Sequence, residues 1–279
     1  MRRDAFVTVD GVELHYSDWG ADDAPPVVCV HGLSRVGRDF DSLARELADD
    51  YRVVCPDMPG RGLSEWSPDH YTPEAMTTLL VGFCDALGFD AVRWVGTSMG
   101  GILGMTLAAG PMADRIDRLV LNDVGPSPTG DESAQEGIDR IIDYLTNPPT
   151  FARFTEMESY FRETYATFSE LTDDEWRRLT RTSSRRTDDG ALTPNYDPRI
   201  VEPMVTAETD DDPWAMWETI DAPTLVLRGA NSDVLAPETF EEMKRRRPAI
   251  ETVVVDCGHA PSLNTDTQIE PIRALFDPA

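Results

Sequence analysis

A serine, a histidine and two aspartates stand where they could build an activated nucleophile. Ser98 lies in "WVGTSMGG", between Gly96 and Gly100. A hydroxyl attacks only weakly until a neighbouring imidazole takes its proton, and that imidazole needs an acid to orient it. His259 follows an apolar run in "VVVDCGHAPSL", and Asp233 stands in "TLVLRGANSDVLAP". The order Ser98, Asp233, His259 suits a serine on a sharp strand-to-helix turn. Asp123, in "LNDVGP", is the alternative acid. The pattern G-x-S-x-G carries little alone, since a chain of this length matches it by chance about one time in ten.

The surrounding elements must therefore decide. Short continuous apolar runs at 25–32, 51–57, 91–98, 116–123, 223–229 and 250–256 read as strands buried on both faces. Helical patterns fill most of the gaps, so a mostly parallel sheet of about eight strands flanked by helices is expected. "AFVTVDGVELHYSDWG" alternates around a "DG" turn and predicts a leading hairpin. Ser98, Asp233 and His259 then all fall at the carboxyl ends of strands, where such sheets bind ligands. The small neighbours Gly96 and Gly100 permit a strained turn at Ser98. The helix that begins there leaves the Met99 amide free to receive negative charge. "VHGLS" ends the third strand, so the Leu33 amide can join it as an oxyanion donor.

Between 126 and 212 the rhythm breaks into helical pieces and charged loops with no strand-like run. An all-helical cap is expected there, over a core formed by 1–125 and 213–279. Trp214 and Trp217 are expected to pin the returning segment to that core. Val234, Leu235 and Ala260 are candidate pocket residues. Arg35 and Arg61 border the motif loops and could touch a substrate carboxylate, though loop bracing is the plainer role. His31 reads as structural, while His15 lies in the hairpin and His70 in a polar loop.

Composition narrows the class. The 279 residues are 41% hydrophobic, enough for a proper core. Fifty-one acidic against 25 basic residues give a net charge of −26, which argues against nucleic acid as a partner. Lys244 is the only lysine. Such a surface fits a salt-adapted cytoplasm, because salt screens its self-repulsion. No apolar run reaches the roughly 20 residues of a spanning helix, and the amino-terminal stretch lacks the apolar segment of a secretory signal. A cytoplasmic location without a membrane partner is expected. The four histidines show no ligand spacing and the four cysteines no CxxC, so neither metal nor cofactor is expected, and the thiols read as buried and reduced. Nothing in the sequence speaks to oligomeric state.

Taken in order, "HGLS", "PDMPGRGLS", "GTSMGG", "LVLNDVGP", "LRGANSD" and "GHAP" resemble the α/β-hydrolase fold superfamily, specifically its cap-bearing esterase and lactonase-like members. The resemblance spans nearly the whole chain. It implies that Ser98 attacks, His259 shuttles the proton, Asp233 orients the imidazole, and the Leu33 and Met99 amides hold the oxyanion. A small ester or lactone would be the substrate. Because the elbow carries serine rather than aspartate, an acyl-enzyme is expected. Three alternatives stay open: a lactonase, a carbon–carbon hydrolase acting on dienone ring-cleavage products, and a hydrolase-fold protein that only binds its ligand.

Overall fold

A computed structural model describes residues 1–126, 141–166, 170–203 and 212–277. Its frame is an eight-stranded sheet in the order β1-β2-β4-β3-β5-β6-β9-β10. The leading strands β1 (Arg3–Val9) and β2 (Val12–Trp19) form the expected hairpin, with Asp10 and Gly11 both at positive φ in its turn. β2 pairs antiparallel with β4 (Arg52–Pro56). From β4 onward, β3 (Pro26–Val30), β5 (Val92–Thr97), β6 (Ile116–Asn122), β9 (Thr224–Gly229) and β10 (Glu251–Val255) pair in parallel. The central strands are buried on both faces, which is why they read as unbroken apolar runs.

Two apolar clusters sandwich the sheet. One gathers Val28, Trp94, Leu121 and Trp217 beneath helices Pro73–Ala86 and Met99–Ala109. The other gathers Val27, Val95 and Leu227 with Leu43 and Ile272, from helices Asp41–Leu47 and Asp266–Phe276. Trp217 is wholly buried and donates to the Met243 carbonyl at 3.3 Å, while Trp214 stays half-buried with Arg246 over its ring. Both brace the returning segment. All four cysteines are buried, and none forms a disulfide.

Between β6 and β9 the chain builds a separate layer, called the cap below. Helices Phe154–Thr164 and Asp173–Thr182 enclose a small core of Met157, Phe161, Tyr165, Trp176 and Leu192. The second helix opens on a capping box, with Thr172 and Glu175 exchanging side-chain and backbone bonds. The cap is not all-helical. Strands β7 (Ser184–Arg186) and β8 (Leu192–Pro194) form an antiparallel ribbon whose connection includes Gly190 at φ 87°. Ser184, Arg185 and Arg186 carry no apolar alternation, so the ribbon leaves no strand-like trace in the sequence. Backbone bonds then clamp the cap to the "PGRG" loop, from Gly62 to the Asn195 carbonyl at 3.1 Å and from Asp197 to the Gly60 carbonyl at 2.8 Å.

Candidate active site

The carboxyl ends of β3, β5, β6, β9 and β10 converge on one edge, and Ser98 is the residue immediately after β5. Its backbone sits at φ 50°, ψ −114°, a conformation that an L-residue holds only when its surroundings force it. The forcing contacts are visible. Ser98 donates its amide to the Asn122 carbonyl at 3.1 Å, and its own carbonyl accepts from Gly101 and Ile102. A Cβ on Gly100 would run into the Val30 carbonyl, and one on Gly96 into the Gly100 carbonyl, so strand and helix meet backbone to backbone. The buried Trp94 indole donates to the Gly100 carbonyl at 3.0 Å and pins the helix start.

Met99 opens the helix Met99–Ala109, so its amide lies among those with no intrahelical acceptor. The loop that carries Leu33 is held from several sides. The Gly32 carbonyl accepts from His31 Nδ1 at 2.7 Å and from the Arg35 amide at 3.1 Å. That carbonyl shares a planar peptide with the Leu33 amide, so fixing one orients the other. His31 Nε2 accepts from the Met58 amide at 2.9 Å, and burial holds this imidazole neutral by pushing its pKa down to about 4. Arg61, wholly buried, donates Nε to the Leu33 carbonyl at 2.8 Å and Nη1 to the Pro59 carbonyl at 2.6 Å. Arg61 is therefore a brace beneath the loop that carries Leu33.

The carboxyl group against the His259 ring is that of Asp123. His259 Nδ1 lies 2.7 Å from Asp123 Oδ2, and both side chains are buried. Asp123 occupies the first position after β6 at φ 59° and accepts three further bonds. They come from the Gly229 amide at 2.7 Å, the Ser232 hydroxyl at 2.6 Å and the Ala260 amide at 3.1 Å. Four donors satisfy the oxygens of this buried carboxyl group. Asp233, expected to orient the imidazole, lies half-buried in the turn after β9; that turn reaches Asp123 through its neighbour Ser232. Asp123 is the first residue after β6, and the Gly229 amide at the end of β9 and the Ser232 hydroxyl of the following turn both donate to it.

Two supporting residues carried no signal in the sequence. Ser232 also accepts from the Val234 and Leu235 amides, closing its turn around Asp123. Asn122 donates Nδ2 to Thr97 Oγ1 at 3.0 Å and to the Pro261 carbonyl at 2.8 Å, so one amide ties the Ser98 strand to the His259 loop. Of the candidate pocket residues, Ala260 lines a cavity of about 90 Å³ beside this corner. Leu235 packs into the main core, and Val234 is half-buried in the turn. Among the described residues no three His, Cys, Asp or Glu side chains gather as a metal ion would need, and no helix is long and apolar enough to cross a membrane.

This sheet, elbow and loop order define a hydrolase of the α/β fold. The family model described as "Alpha/beta hydrolase family" matches residues 27–270, and the chain belongs to that family. Among curated relatives, a "3-hydroxybutyrate-oligomer hydrolase" of Cupriavidus necator is 39% identical over 276 residues, covering 94% of this chain and 92% of the relative. A "2-hydroxy-6-oxo-2,4-heptadienoate hydrolase" of Pseudomonas putida is 28% identical, over 91% and 88% of the two chains. The crystal structure of an alpha/beta hydrolase from Novosphingobium aromaticivorans superposes with a TM-score of 0.87 at 34% identity, covering 99% of this chain and 98% of that one.

Proposed function

We propose that this protein is a serine hydrolase of carboxylic esters, with Ser98 as nucleophile, His259 as general base and Asp123 as the orienting acid. What carries this assignment is the 2.7 Å bond between His259 Nδ1 and Asp123 Oδ2, at the edge that holds the strained Ser98 elbow. With Nδ1–H donated to Asp123, Nε2 is the basic nitrogen that takes the Ser98 proton. The Ser98 oxygen adds to the ester carbonyl, and the Leu33 and Met99 amides receive the developing oxyanion. Collapse expels the alcohol, protonated by His259, and leaves an acyl-serine. Water, deprotonated by the same imidazole, then adds to the acyl carbon; collapse returns the Ser98 hydroxyl and frees the acid. No step calls for a cofactor or metal.

The preferred substrates are short oligoesters of a small hydroxy acid. The relative named for 3-hydroxybutyrate oligomers, similar along almost the whole chain, supports that class. The cap, taken as 126–212, would set chain-length selectivity from above the pocket. A second reading, carbon–carbon hydrolysis of a dienone by the same three residues, draws on the weaker likeness to the heptadienoate hydrolase.

The test is turnover of linear 3-hydroxybutyrate dimer and trimer and of p-nitrophenyl esters, by the purified protein and its Ser98→Ala variant. The variant should lose at least about 10³-fold in kcat. Turnover of a dienone far above every ester would transfer the function to the second reading, and no turnover of any of them would end both. The salt-adapted origin of the −26 charge is tested in the same assay: raising potassium chloride should increase activity and melting temperature together.

A further inference from the structure

Beside the catalytic corner lies a cavity of about 90 Å³, enough for several waters or a carboxylate on a short carbon stem. Its walls include Thr97, the neighbour of Ser98; Ala260, the neighbour of His259; and Tyr165 and Trp176 of the cap. Arg35 and Asn264 also line it, with Arg38, Arg178 and the carboxylates of Asp39 and Glu175 on the same walls.

Arg35 is held in an unusual way. Its Nε and Nη2 donate to the two Asp39 oxygens at 2.6 and 2.8 Å, which fixes the fork. The Tyr165 ring lies over the guanidinium at 4.5 Å, so the cap covers its face. The side chain is only 11% exposed, yet Nη1 has no hydrogen-bond partner among the described residues. A buried guanidinium nitrogen left unpaired costs free energy unless something else fills its place. Arg35 is also close to the nucleophile. A Cβ built on Gly32 would lie 3.6 Å from Arg35 Cγ and 3.7 Å from Ser98 Cβ, so the two side chains flank one point of the oxyanion loop.

Asn264 gives a complementary signal. Its Nδ2 donates to Glu175 Oε1 at 2.9 Å, tying the His259 loop to the cap, while its buried Oδ1 has no donor among the described residues. One cavity is thus walled by an unpaired cationic donor and an unpaired neutral acceptor. A hydroxycarboxylate carries their complements, an anion for the first and, on a unit with a free hydroxyl, an O–H for the second. Simple alkyl esters carry neither.

We infer that this cavity is an anchor for a free carboxylate of the substrate or product, held by Arg35 Nη1, with Asn264 Oδ1 accepting from the hydroxyl that ester cleavage frees on the same unit. The inference rests on the ester-hydrolase assignment and narrows it: the preferred ester carries a carboxylate a few bonds from the scissile carbonyl. In a molecule with twice as many acidic as basic residues, such an anchor also offsets the general repulsion of an anionic substrate.

The deciding comparison uses one scissile bond with and without the charge, 3-acetoxybutyrate against 3-acetoxybutyramide. Wild type should favour the carboxylate at least tenfold in kcat/KM, chiefly through KM, the size expected of one charge-assisted hydrogen bond. Arg35→Met, which keeps the stem beneath Tyr165, should erase most of that preference, and Arg35→Lys should restore part of it. Equal losses on both substrates would mean that Arg35 only braces the loop, and would overturn the anchor. A second readout needs no variant: 3-hydroxybutyrate ion should inhibit p-nitrophenyl acetate hydrolysis competitively, and 3-hydroxybutyramide at least tenfold more weakly. Equal inhibition by ion and amide would also overturn it. Turnover of p-nitrophenyl acetate reports the ester-hydrolase assignment separately. Should that activity be absent, the ion can still be read as a ligand, by whether it raises the melting temperature more than the amide does.

Discussion

The molecule contains two buried histidine–aspartate pairs with the same bond and opposite settings. His259 Nδ1 meets Asp123 Oδ2 at 2.7 Å, and His15 Nδ1 meets Asp57 Oδ2 at 2.7 Å. All four side chains are nearly inaccessible. Asp57 is crowded with donors much as Asp123 is, accepting from the Gly37 amide at 2.7 Å and the Leu63 amide at 3.0 Å. The contrast lies in what else the ring meets. His15 sits inside β2, and its Nε2 faces Asp4 at 3.3 Å, so carboxylates lie on both sides of the imidazole. Those carboxylates favour the charged form of the ring, which joins the hairpin to the "PDMPG" loop. His259 sits in a loop at the carboxyl edge of the sheet, the edge that also carries the strained Ser98 turn. A hydrogen bond to aspartate is thus common to a clasp and to the proposed catalytic base; position relative to the sheet edge separates them.

The largest expected effect falls on the acid of the second pair. Asp123→Asn should lower kcat by about 10⁴-fold, because an amide holds the wrong imidazole tautomer, while the protein stays folded. Asp233→Asn should cost less than about tenfold. Steady-state kinetics on one ester measures both, and a larger loss at Asp233 would reverse the assignment. The clasp should behave the other way round. Asp57→Asn takes the main partner from a buried histidine and leaves the Gly37 and Leu63 amides poorly matched, so it should cost about 3 kcal/mol in urea unfolding, yet kcat of the folded fraction should fall by no more than about tenfold. A collapse of kcat there with stability intact would make His15–Asp57 part of the catalytic apparatus.

These pairs also mark where sequence reasoning stops. The sheet was legible because parallel strands buried on both faces read as continuous apolar runs, and the corner because Gly96, Ser98 and Gly100 follow such a run directly. The choice of acid was not. Asp123 and Asp233 both stand after parallel strands, and what separates them, the 2.7 Å bond from His259 to Asp123, joins residues 136 positions apart. The β7–β8 ribbon was hidden by its polar residues. His15 and Asp57 are 42 positions apart, with nothing local to join them. Arg35 and Arg61 looked alike as arginines bordering motif loops. Packing divides them, one beneath the Leu33 carbonyl and the other facing a cavity.

The smallest effect is a slope with pH, and it sharpens the contrast between clasp and base. Burial works against a charged His15, but the hydrogen bond and field of Asp57, aided by Asp4, outweigh it and raise its pKa above 6.5. A group whose folded pKa is raised contributes stability fully below its unfolded value and loses it as pH climbs through the folded value. The stability gap between wild type and His15→Asn should therefore be widest near pH 6 and shrink steadily toward pH 9, as read by urea midpoints at each pH. His31 runs in the opposite sense. Its pKa is pushed down to about 4 by burial, so the folded protein refuses a proton that the unfolded chain accepts, and stability falls as pH drops from about 6.5 toward 4. A His15→Asn gap that stays constant from pH 6 to 9 would mean that the ring is held neutral, and the clasp would then be a plain hydrogen bond rather than an ion pair.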